Sequence, residues 1–127
     1  LTAENAMIRP MTIQIDHEGP KVALQRMKED KVSVLLAVDK ARKYLGYITA
    51  NDALNLAKSG EKSLKSILRN DMPIVEPSTV IQEILSVISD SPTPVAVVEE
   101  GKLRGVLIRG VVLESLASEK NGGVDNE

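Results

Sequence analysis

Thr49 and Asp52 stand three residues apart, where a short apolar run beginning at Gly46 (GYIT) gives way to a helical pattern, ANDALNLA. A carboxylate at such a corner gives two strong acceptors for a vicinal diol, and a helix N-terminus offers free N–H groups to an anion. The same pair also reads as a near capping box. Thr49 is then the N-cap, and the acid three residues on is favoured by the helix dipole, stabilising the helix by about 1 kcal/mol. Cap and site can coexist at one helix end, and the sequence leaves both readings open.

The corner has an echo, GVLIRGV at Gly105–Val111, in which Ile108 and Val111 replace Thr49 and Asp52. Neither side chain binds a diol or a phosphate, so two equivalent sites are not expected. Arg109 in that second turn is a candidate phosphate contact, with a solvated first-turn arginine as the plainer reading. His17, in Asp16-His17-Glu18, has no second His and no Cys with which to hold a metal, and it reads as loop. Ser and Thr are plentiful, but no His lies where a triad partner is needed. Lys40-Ala41-Arg42-Lys43 forms a basic hairpin tip whose counterpart, Glu99-Glu100, is acidic.

The elements that must position these residues are limited by composition. A chain of 127 residues makes one compact unit or two small halves sharing a core, and 43% hydrophobic with 27% charged residues is ordinary for a globular domain. With two Tyr, no Phe and no Trp, the core must be aliphatic and no aromatic shelf exists for stacking bases. A net charge of −2 argues equally against a partner that is a nucleic-acid polymer. No cysteine is present, which excludes disulfides and a thiol nucleophile and is compatible with the cytoplasm. No apolar run approaches membrane-spanning length and no signal peptide opens the chain. The start at Leu1 and the polar tail read as a piece of a longer protein. Residues 1–60 carry nine basic against seven acidic residues, and residues 61–127 carry seven against eleven.

Read in order, the chain states one unit twice. Thr2 caps a short helix; MTIQI (11–15) is a strand, Lys21–Asp30 an amphipathic helix with Val22, Ala23, Leu24 and Met27 on its apolar face, and Val34–Val38 a strand. DKARK (39–43) turns it into the strand Tyr44–Ile48, followed by a helix facing inward through Ala50, Ala53, Leu54 and Ala57. Then come a short helix at Ser63–Leu68, the strand MPIVE (72–76), a capping box of Thr79 and Gln82 opening a helix, the strands Val95–Val98 and Leu103–Ile108, and a last helix at Val111–Ala117. The period is about sixty residues. A unit this small cannot bury its own apolar sheet face, which favours two copies packed on each other. A tandem of other small βαββα ligand-binding units has the same periodicity.

The stretches VALQRMKEDKVSVLLAVD, GYITANDAL and EILSVISDSPTPVAVVEEGKLRGVLIRGVVLESLA resemble a tandem of cystathionine-β-synthase (CBS) domains, from Thr2 to about Ser118. The ending PVAVVEEGKLRGVLIRGVVLESLA is similar to the C-terminal pair on ATPase subunits of bacterial ABC importers for glycine betaine, proline, choline or carnitine. The resemblance implies an α+β fold of two βαββα CBS repeats, 1–60 and 61–118 with a flexible acidic tail at 119–127, packed as one pseudo-two-fold module. It implies a regulatory, non-catalytic role with no required cofactor, sensing an adenine nucleotide, a cyclic dinucleotide or ionic strength. The implied partners are a second copy, an upstream ATPase domain and membrane permease subunits, placing the module in the cytoplasm at the inner face of the cell membrane. No Gly-x-x-x-x-Gly-Lys-Ser/Thr loop occurs, so the ATPase motifs would belong to a preceding domain. By the resemblance, Asp52 takes the ribose hydroxyls and Thr49 the phosphate; adenine would need an apolar slot, for which Met11, Thr12, Ile13 and Leu35 are the candidates by pattern. The alternative function is a dimerisation module with no physiological small ligand.

The basic tip generates its own expectation. An electrostatic contact from Lys40, Arg42 and Lys43 to an opposing subunit or an anionic membrane weakens with salt over a Debye length of about 8–10 Å. Neutralising all three is expected to flatten the salt response of the intact transporter in a transport assay; an unchanged response discards the contact.

Overall fold

The computed structural model describes the backbone of residues 1–125 and the side chains of residues 1–118. The order strand–helix–strand–strand–helix occurs twice, as the sequence predicts. After a short helix α1 (Ala3–Ala6) come β1 (Thr12–Gln14), α2 (Pro20–Asp30), β2 (Val34–Val38), β3 (Tyr44–Thr49) and α3 (Ala50–Ser59). One 3₁₀ turn at Lys65–Ile67 leads to β4 (Ile74–Val75), α4 (Ile81–Asp90), β5 (Val95–Glu99), β6 (Lys102–Leu107) and α5 (Arg109–Asp125). The fold is α+β. The last helix runs beyond Ala117, through seven positions of the expected tail, while Asn126 and Glu127 lie outside the described residues.

Two three-stranded sheets form, ordered β1-β2-β3 and β4-β5-β6. In the first, β1 runs parallel to β2 and β2 antiparallel to β3, with Leu35 opposite Ile48 and Val34 opposite Thr49. In the second, β4 runs parallel to β5. Each sheet centres on its own compact unit with an aliphatic core, although Lys102 and Leu103 at the start of β6 belong with the unit of the first sheet. Ile13, Leu35, Ile48, Ala23 and Leu64 are buried in the unit of the first sheet, and Ile84, Val95, Val97, Leu107 and Val112 in the unit of the second.

Division by compactness cuts the chain differently from the sequence repeat. Leu1–Arg9 belongs with the second sheet: Ile8 exchanges hydrogen bonds with Val106 (2.9 and 3.1 Å), and Glu4 pairs with Arg104 at 3.0 Å. The segment after Gly60 belongs with the first sheet. There Arg69 exchanges hydrogen bonds with Tyr47, at 2.8 and 2.9 Å. Each lead-in thus docks on the hairpin of the other repeat. A glycine lies under each docking, and at Gly46 the backbone requires it. Gly46 sits at φ +141°, and a Cβ there would lie 2.2 Å from the Arg69 carbonyl oxygen. At Gly105 a Cβ would lie 2.6 Å from the Met7 sulfur.

Several sequence expectations shift. The capping box of Thr79 and Gln82 does not form: Val80 is the N-cap of α4, and the Thr79 hydroxyl accepts from the Glu76 amide at 3.1 Å. The lead-in explains this, because the Ile81 amide donates to the Leu1 carbonyl at 3.0 Å and a side-chain cap is superfluous. On α2 and α3 the predicted apolar faces hold except at one position each. Ala23, Met27 and Ala53 are buried and Leu56 packs on the core, while Val22 (42%) and Leu54 (44%) are exposed. The 3₁₀ turn replaces the short helix predicted at Ser63–Leu68, and it buries Leu64.

Replacing Gly46 with Ala combines a left-handed backbone with a backbone clash, so Gly46→Ala is expected to destabilise the protein by about 2–3 kcal/mol in urea unfolding. A loss under 0.5 kcal/mol would mean that Arg69 does not approach β3 this closely.

Candidate functional site

At the first corner the cap is formed. Thr49 has extended backbone (φ −104°, ψ 155°) at the end of β3, and its hydroxyl oxygen accepts the Asp52 amide at 3.2 Å. The Asp52 carboxylate is engaged elsewhere: its Oδ2 accepts from Nε of Arg69 at 2.8 Å. That hydrogen bond is the main reason the Asp52 carboxyl lies below the usual carboxylate range; partial burial opposes it, and the Arg69 charge and Thr49 assist. Asp52 is therefore ionised at neutral pH, with Arg69 beside it and 51% of the Arg69 side chain exposed.

Sequence reasoning missed Arg69 and its neighbour Asp71. Arg69 is delivered by the strand-like pairing with Tyr47, whose buried ring directs its hydroxyl to donate to Asp71 Oδ1 at 2.5 Å. The Tyr47 hydrogen bond holds the Asp71 carboxyl below its ordinary range. Burial, followed by Asp71, pushes the Tyr47 phenol up. The repeat does not mark Arg69, since at the sixty-residue offset it falls on Arg9; the contrast appears only in the structural pairing. Where the first corner has Asp52 and its docking segment Arg69, the second has Val111 and Ile8, an apolar substitution at both equivalent positions.

The residues assigned to an adenine slot lie in the same compact unit as the corner. Ile13 and Leu35 are fully buried in its core, whereas Met11 and Thr12 are half-buried. Met11 accepts the Leu36 amide through its carbonyl at 2.9 Å. The Thr12 carbonyl accepts from Arg26 at 2.9 Å, and Arg26 also grips Glu18 through two hydrogen bonds of 2.7 and 3.0 Å. Glu18 in turn accepts the Gln14 amide at 2.7 Å, so this ion pair satisfies the free edge of β1 where no fourth strand lies. Hydrogen bonding to Arg26 is the chief cause that keeps the Glu18 carboxyl below its ordinary range.

Arg109 belongs to the other compact unit. Its guanidinium donates to the carbonyls of Ile88 (2.9 Å), Ser89 (3.3 Å) and Ser91 (3.5 Å), closing the C-terminal end of α4. With Ile88, Ser91, Pro92, Thr93 and Ile108 it lines a pocket of about 280 Å³. His17 is an exposed loop residue. At the basic tip, Asp39 Oδ1 accepts the amides of Ala41 and Lys43, both at 2.9 Å, and fixes the turn. Lys40, Arg42 and Lys43 are exposed, and Lys43 bridges directly to Lys102. Among the described residues the ion pairs are Arg26–Glu18, Arg69–Asp52, and Arg104 with Glu4 and Glu99; none involves the tip.

The CBS domain family matches residues 3–59. The chain belongs to the CBS-domain family. It is 39% identical to the glycine betaine/carnitine transport ATP-binding protein GbuA of Listeria monocytogenes, across 94% of this chain and 30% of that protein. This CBS protein thus spans under a third of that relative. Its fold is that of the Arabidopsis thaliana CBS-pair protein CBSX2, solved in complex with AMP, at a TM-score of 0.81 and 21% identity over 94% of this chain and 98% of that one. CbpB, solved in complex with c-di-AMP, superposes with a TM-score of 0.79 and 17% identity over 100% of this chain and 91% of that one. No helix among the described residues is long and apolar enough to cross a membrane.

One further polar group in this CBS protein stands near the corner's network. The Tyr44 hydroxyl is buried with no protein hydrogen-bond partner, and burial, assisted by Tyr47 and Asp71, pushes its pKa up to about 12. Between about pH 10, where an unfolded tyrosine titrates, and that value, the folded protein keeps a proton that the unfolded chain has lost. Stability therefore falls as pH rises through this window. Tyr44→Phe is expected to be neutral or stabilising by about 1 kcal/mol at pH 8, and to reduce the decline in denaturant unfolding above pH 10. A clear loss at pH 8 would show that the hydroxyl has a partner.

Proposed function

We propose that this CBS pair is the regulatory part of the ATP-binding subunit of an osmoprotectant ABC importer, responding to an adenine nucleotide or cyclic dinucleotide held at the first corner. The observation that carries the ligand reading is Asp52: an ionised carboxylate in the first turn of α3, backed by Arg69, on a helix start already capped by Thr49. A carboxylate in this state is a strong acceptor for ribose hydroxyls. The likeness to GbuA supports the transporter reading, and the ligands of CBSX2 and CbpB support the ligand class. In this reading the module is non-catalytic, its signal passes to an ATPase domain and permease subunits, and it acts at the cytoplasmic face of the membrane. Exposed Val22 and Leu54 on α2 and α3 favour self-association through those helices.

A thermal-shift titration with AMP, ATP and c-di-AMP tests the reading. A ligand binding only the native state at a hundred times its dissociation constant stabilises it by about 2.7 kcal/mol. Asp52→Ala is expected to abolish the shift while leaving the unliganded protein folded. Absence of any shift in the native sequence favours the dimerisation module with no small ligand.

A further inference from the structure

The group at the first corner that still has binding capacity is Arg69. A guanidinium carries five N–H donors in a rigid fork, and only Nε is engaged, with Asp52 Oδ2, among the hydrogen bonds of the described residues. The terminal nitrogens remain available on a side chain half exposed to solvent. Thr49 already receives the Asp52 amide on its hydroxyl oxygen, so the hydroxyl is left with its one proton to donate. Arg69 also does not ride on a free loop: its backbone exchanges two hydrogen bonds with Tyr47, which reduces the entropy lost on engaging a ligand.

We propose that Arg69 is the phosphate-binding residue of the first corner and makes it selective for phosphorylated over unphosphorylated nucleosides. This rests on the nucleotide reading of Asp52 given above. Asp52 would fix the guanidinium through Nε and keep its other oxygen for a ribose hydroxyl. The terminal nitrogens of Arg69 would take the phosphate in the bidentate manner that suits a planar fork. Carboxylate and guanidinium side by side match a ligand whose diol and phosphate are close together, a nucleoside monophosphate unit. The second copy, with Val111 and Ile8 at the equivalent positions, has neither half of this recognition.

Calorimetric titration of the chain with AMP and with adenosine tests the assignment. A charge-assisted contact to phosphate makes AMP bind about 10- to 100-fold tighter than adenosine. Arg69→Gln keeps the backbone pairing with Tyr47 and is expected to remove most of that advantage, bringing the AMP-to-adenosine affinity ratio down toward one. Arg69→Lys, which keeps the charge without the fork, is expected to fall between, and its AMP-to-adenosine ratio decides the matter if the Gln variant does not fold. An unchanged ratio in the folded variant overturns the Arg69 assignment and leaves the nucleotide reading standing. Failure of the native sequence to bind AMP overturns both.

Discussion

Two hydrogen bonds exchanged between Tyr47 and Arg69 hold the first corner together. They add a segment from outside the repeat to the open edge of β3, and Gly46 is the residue whose missing side chain lets that segment approach. From this one pairing follow the placement of Arg69 beside Asp52, of Asp71 beside the Tyr47 hydroxyl, and the ionised state of both carboxylates. The helix start, the sheet edge and the candidate ligand residues are therefore one mechanical assembly.

That assembly resolves the competition between cap and site in an unexpected direction. A capping box would have turned the acid at the third helical position back toward the N-cap amide. Here Thr49 caps through its hydroxyl, and the acid turns to an arginine from a distant segment. The carboxylate stays charged and about a quarter exposed, which a box would not have ensured. At the other corner an arginine is used in the opposite sense. Arg109 points its charge at the carbonyls ending α4, where the helix dipole favours a cation.

The repeat, its element order and the α+β class were legible because strand and helix periodicities alternate cleanly and the core is aliphatic. Thr49 as N-cap was legible too, since the signal is local. What was not legible depends on partners far away in sequence. The expected cap at Thr79 failed because the Leu1 carbonyl meets the α4 amide from some eighty positions upstream. Leu54 was assigned inward from helical spacing, which cannot tell a core-facing stripe from a neighbouring one when alanines carry the true contact. Arg69 sits in a polar segment, RND, with no period to mark it. At the sixty-residue offset it matches another arginine, Arg9, and only the folded pairing of Ile8 with Val106 shows Arg69 and Asp52 replaced together by Ile8 and Val111.

The exchange of lead-in segments has a consequence for how the chain comes to be folded. Synthesis proceeds from the N-terminus, and the opening helix emerges long before β6, the strand against which Ile8 is paired. The first sheet, complete in its own three strands by Thr49, must likewise wait for Arg69 before its edge is closed. Such long-range pairings are made late, after the loop-closure entropy of the intervening chain has been overcome. Until then β3 presents unpaired amides and carbonyls, and its nascent edge is the surface most open to wrong partners.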